Sequence, residues 1–166
     1  MVRSHGTIRD GLVVGLIGYA AVALFYSAFD ALAARDPLYT VDLLGKAVFR
    51  GLRDPGVLSF PVALDGMAIF LYNALHLAIA LVIGIIVTAL AGEAERHPGR
   101  ARLVLFTLIA GFVVTVAIVG LLTTPMRPVL PWWSIVVANA LAVIVAGSYL
   151  VRQRPHLWHR LTLVAG

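Results

Sequence analysis

VALDGMAIFLYNALHLAIALVIGIIVTAL, residues 62–90, decides the class of this fold. Beyond its single Asp65 no Asp, Glu, Lys or Arg interrupts the run. A hydrocarbon core of about 30 Å, crossed at 1.5 Å per residue, needs roughly 20 apolar residues in a helix. The stretch exceeds that length and therefore reads as a transmembrane helix.

Working outward, three more runs have the same character. They cover about 11–34, 103–123 and 132–151. The chain of 166 residues is 61% hydrophobic and 13% charged. A soluble domain carries about 25% charged residues, so a water-facing surface cannot be built from this composition. The expected fold is all-α: one integral membrane domain over 1–166, a four-helix transmembrane bundle.

The first run has a rival reading. A basic start, an apolar stretch and Ala31-Leu32-Ala33 together look like a signal peptide with its cleavage site. The stretch is longer than the usual signal core, which favours a retained helix.

Between the first two runs lies a connection bracketed by Asp36-Pro37 and Asp54-Pro55-Gly56, both turn signals. Within it, residues 39–52 carry Asp42, Lys46 and Arg50 on one side and Val41, Leu44, Val48 and Leu52 on another. This predicts a short amphipathic helix lying at the interface, apolar face in the acyl boundary; capping a pore mouth is the alternative. Residues 92–100 read as a hydrophilic loop, and Pro125, Pro128 and Pro131 mark a tight turn.

The net charge is +5. The basic residues sit at the ends of apolar runs, where they meet lipid phosphates, so no nucleic-acid partner is expected. With the N-terminus inside, Arg3, Arg9, Arg96, Arg100, Arg102, Arg152, Arg154 and Arg160 fall inside. Arg35, Lys46, Arg50, Arg53 and Arg127 fall outside. The bias predicts both termini cytoplasmic, in a plasma membrane of bacterial type. Trp132 and Trp133 then mark the outer headgroup level and Trp158 the inner one.

Intramembrane polar residues are the candidates for function, because hydrocarbon makes them costly. They are Asp30 late in the first span, Asp65, Tyr72, Asn73 and His76 in the second, and Asn139 in the fourth. Asp65, Tyr72 and His76 fall within about 40° on one helix face. Tyr19, Tyr26 and Asp30 repeat that spacing on the first span. Antiparallel spans put Asp30 and Asp65 at similar depth near the outer surface. His76 and Asn73 come near the midplane, level with Asn139. His76 is expected as a neutral imidazole bonded to Asn139, with Tyr72 as the local alternative.

Small residues give the other signal. Gly11, Gly15 and Gly18 line one side of the first span, and Ala138, Ala142 and Ala146 one side of the fourth. Such faces let helices approach closely, within the chain or with a partner.

Catalytic signatures are absent from the sequence. There is no cysteine, no G-x-S-x-G and no HExxH. His76 lacks a second histidine one turn away, so no metal is expected, and a haem held by two histidines would need a second subunit. Glu93, Glu95, Arg96 and His97 read as a solvated loop. No cofactor is expected. The leading expectation is a non-enzymatic accessory or assembly subunit of a larger membrane complex. Its partners would be the lipid bilayer and either other membrane subunits or further copies of itself. The alternative is a small oligomeric transporter or channel with a path along the second span. A third reading is a membrane-embedded enzyme modifying a lipid or cofactor.

Overall fold

The computed structural model describes residues 4–52 and 63–154, with side chains from Gly6 onward. Five helices follow in order: α1 Ser4–Leu32, α2 Tyr39–Phe49, α3 Gly66–Arg96, α4 Ala101–Leu122 and α5 Trp132–Gln153. All but α2 are long and apolar enough to cross a membrane. The chain is an all-α, multi-pass membrane bundle with one short helix at its end. The Asp54-Pro55-Gly56 turn, Arg53, and the tail with His156, Trp158, His159 and Arg160 lie outside the described residues.

Two helix ends depart from expectation for local reasons. The segment Gly92–Arg96, read as loop, continues α3 by more than a turn. Its Glu-Ala-Glu-Arg composition favours helix, and its charges simply project beyond the hydrocarbon. Pro98–Arg100 then forms one 3₁₀ turn directly before α4. At the far end α2 stops at Phe49 rather than near 52, because Leu52 N–H folds back to the Lys46 carbonyl over Gly51, whose φ is 69°.

The centre of the bundle is the pairing of α1 with α3, which run antiparallel. Gly11 and Gly15 of α1 meet Gly84 and its neighbours on α3, backbone against backbone. A Cβ on Gly84 would lie 2.7 Å from Gly15 Cα and overlap the Gly11 carbonyl. One on Gly11 would lie 2.6 Å from Ile85 Cα. Glycine is required here by proximity. Gly18 departs from the expected stripe: nothing lies within 4 Å of the place its Cβ would take.

Helix α5 packs on the other side of α1. Ala138 and Ala146 are buried there and Ala142 half-buried, next to a cluster of Val14, Ala91, Ala94, Val104 and Leu150. At the end where α1 begins and α5 finishes, Arg154 bonds Asp10 of α1 (3.3 Å) and Glu95 of α3 (3.0 Å). One guanidinium thus ties three helices. Helix α4 is different. Of its 22 residues only Ala101 and Val104 are buried, both in its first turn.

Candidate functional site

The expected polar residues separate into two groups, divided by depth. The first group belongs to α2, at the end of the bundle opposite Ser4 and Gln153, called its outer end from here on. Asp30, fully buried at the end of α1, accepts from the Thr40 N–H (2.7 Å) and the Thr40 hydroxyl (2.8 Å). It thereby receives the first turn of α2, where free N–H groups favour a carboxylate. Asp42 is also buried. It accepts from Lys46 Nζ at 2.6 Å and from the backbone N–H of Asp65 at 2.8 Å. Lys46 donates again to the Ala63 carbonyl (2.7 Å).

Asp65 caps α3. Its Oδ1 accepts from the N–H groups of Met67 (3.1 Å) and Ala68 (3.0 Å), while Oδ2 accepts from Arg50 Nε (2.9 Å). The Arg50 hydrogen bond first, and the Ala68 N–H second, hold the Asp65 carboxyl down at about 2. The same contact raises Arg50.

The charged side of α2 is turned onto the start of α3, while Val48 and Phe49 stay exposed. The reason is that the α3 N-terminus offers unpaired N–H groups and a loop carbonyl, which charged side chains satisfy better than lipid does. The other side of α2 is used as well. Tyr39 and Leu43 pack with Met126 and Leu130 of the α4–α5 turn, and with Tyr26 of α1. Arg35 donates to the Val129 carbonyl (3.0 Å) and lies over the Tyr39 ring. The helix therefore lies across the outer end of the bundle and covers it.

The second group sits midway along α1 and α3. Tyr19 donates to Asn73 Oδ1 (2.8 Å), and Asn73 Nδ2 donates to the Ile69 carbonyl (2.9 Å). The Tyr19 ring meets the His76 ring edge-on, centroids 5.3 Å apart. Tyr72, one turn from His76 on the same helix, lies 6.1 Å from it. Nearer the outer end, Tyr26 and Ser134 of α5 approach to 3.5 Å, and Ser134 donates to the Pro131 carbonyl (2.7 Å).

The expected bond between His76 and Asn139 does not form. Asn139 turns back to the Ile135 carbonyl of its own helix (2.8 Å). α5 packs on α1, so Asn139 is level with His76 but not facing it. Tyr19 takes the position beside the imidazole instead. Among the described residues, neither the His76 ring nor the Tyr72 hydroxyl has a hydrogen-bond partner, and both side chains are half-buried. Thr88, buried on α3, also keeps an unpaired hydroxyl among the described residues.

Asp30 and Asp65 do lie at similar depth, as expected, but both are committed to helix ends. Sequence reasoning missed Thr40 as the Asp30 partner, Asp42 as a buried acceptor, and Arg154 as the three-helix tie. The i, i+4, i+8 spacing of Asp42, Lys46 and Arg50 was the available signal. It marks a charged face without saying what that face meets. Among the described residues no three His, Asp or Glu side chains gather to hold a metal. Compared with known proteins, the chain matches no family model, no curated protein and no solved structure.

Proposed function

We propose that this chain is a non-enzymatic subunit that works by associating with other transmembrane helices, as an accessory or assembly component of a larger membrane complex. The reading rests on α4. Gly11 and Gly15 of α1 and Ala138 and Ala146 of α5 are taken up inside the chain, whereas α4 buries two residues where α5 buries five. Along α4, Thr107, Gly111 and Thr115 form a small-residue stripe. Both hydroxyls bond back to their own helix, at 2.9 Å and 2.8 Å. Nothing lies within 4 Å of a Cβ placed on Gly111. This is a surface on which another helix can approach closely without stranding a polar group.

The placement proposed is a plasma membrane of bacterial type with both termini cytoplasmic, on the balance of basic residues. Cysteine introduced at 97 then labels from the cytoplasmic side alone. Labelling only from outside reverses the orientation.

A path along α3 gains no support. Asp65, which would line it, is held by Arg50 and the helix N-terminus, and the contact of α3 with α1 below His76 is closed by Gly11, Gly15 and Gly84. The assembly reading is tested by purification in several mild detergents and intact-complex mass spectrometry. A species heavier than the 17.8 kDa chain is expected, dissociating when Gly111 is replaced by Leu. A monomer in every detergent overturns the proposal.

A further inference from the structure

Tyr72 and His76 present two hydrogen-bonding groups, one helical turn apart, at mid-membrane depth. Their neighbours are already engaged, since Tyr19 and Asn73 bond each other. An unpaired polar group in hydrocarbon is costly, so the pair calls for a third party. The surroundings restrict what that party is. Toward the inner side, the α1–α3 contact closes at Gly15, where a Cβ would already lie 2.7 Å from Leu81 Cα. Toward the outer side, α2 and the α4–α5 turn cover the bundle end with Tyr39, Leu43, Met126 and Leu130, each at most 3% exposed. Beyond its first turn α4 buries no residue, so it does not seal its neighbours. Among the described residues both ends are thus covered, and the open approach is sideways from the bilayer.

We infer that Tyr72 and His76 form a binding site for an uncharged, planar carbonyl compound dissolved in the membrane, of the quinone type. A phenol O–H and an imidazole N–H are both donors, and a carbonyl oxygen accepts without bringing a donor of its own to be satisfied. A phosphate headgroup cannot descend to this depth without carrying charge into hydrocarbon. The aromatic rings of Tyr19 and Tyr72 beside the imidazole favour a flat ligand. The site takes no part in the association proposed for α4, and binding is read independently of complex mass.

The test is binding of decylubiquinone to the full chain in phosphatidylcholine nanodiscs, corrected for partition into empty discs. Saturable binding of one molecule per chain is expected. His76→Leu and Tyr72→Phe should each weaken it about tenfold, the usual effect of losing one buried hydrogen bond. His76→Gln, which keeps a donor, should recover part of the loss, and Leu75→Ala should change nothing. Thermal unfolding of each variant verifies that the bundle is intact. Absence of saturable binding to the wild-type chain overturns the inference, as does unchanged affinity in folded His76→Leu and Tyr72→Phe.

Discussion

Two halves of one helix pair solve the same problem in opposite ways. In the inner half, Gly11 and Gly15 bring the α1 backbone directly onto Gly84. One turn beyond Gly15, Tyr19 reaches Asn73 through full-sized side chains and meets His76 at ring distance. In the inner half, affinity comes from proximity, and any added atom destroys it. In the outer half it comes from directed bonds, which can be removed singly. The difference teaches that a sealed seam and a receptive one can share a pair of helices, provided that side-chain size switches along the contact.

The sharpest way to break this comparison is Gly84→Val. Its branched side chain would have to occupy the Gly11 carbonyl and Gly15 backbone, and about 3 kcal/mol of stability should be lost. Gly18→Val, with open space at its Cβ, should stay within about 0.5 kcal/mol. Unfolding in mixed micelles measures both. Equal losses would mean that the seam is not held by proximity.

Asp30→Ala comes next. It strands the Thr40 N–H and hydroxyl in a buried site, at a cost of about 2 kcal/mol. Hydrogen exchange over residues 39–45 should accelerate selectively. A uniform acceleration across α1 and α3 would show that α2 is not a separable cap.

The clasp between α2 and α3 should also give the outer half an acid dependence that the glycine seam lacks. Folding depresses Asp65 to about 2, below an unfolded carboxylate value of about 3.9. Its stabilisation is therefore fully present above about pH 4 and is lost as pH falls through about 2. Asp65→Asn should flatten that part of the unfolding titration. Retention of the full acid slope in the variant would assign it to other carboxylates.

The smallest effect is expected from Tyr19→Phe. One interhelical hydrogen bond is removed while the ring contact with His76 stays, for about 0.6 kcal/mol. A loss as large as that of Gly84→Val would erase the distinction between the two halves.

The four crossings were legible because each is a long apolar run, a signal that depends on length and composition alone. Depth was legible too, since a helix rises uniformly, and Asp30 and Asp65 came out level. What the sequence could not convey was azimuth. Small residues at 11, 15 and 18 look equivalent on a straight helix, yet Gly11 and Gly15 meet the α3 backbone and Gly18 does not. Asn139 and His76 share a depth, but α1 decides which of them meets Tyr19. For α2 the charged face was visible and its counterpart was not. The groups that satisfy Asp42 and Lys46 are backbone atoms of Asp65 and Ala63, which have no side-chain signature.

The tie at Arg154 bears on how the molecule comes into being. The ribosome makes the chain from its N-terminus, so α1, α2 and α3 exist first. Their mutual contacts, from Gly11 with Ile85 to Arg50 with Asp65, need nothing beyond residue 85. Asp10 and Glu95, by contrast, are two acidic groups at the same end, whose hydrogen-bonded cation among the described residues is Arg154. Until the last span is in place they are like charges with no shared counterion. Arrival of α5 thus brings one guanidinium to two carboxylates that otherwise repel each other, and a chain truncated before Arg154 lacks it.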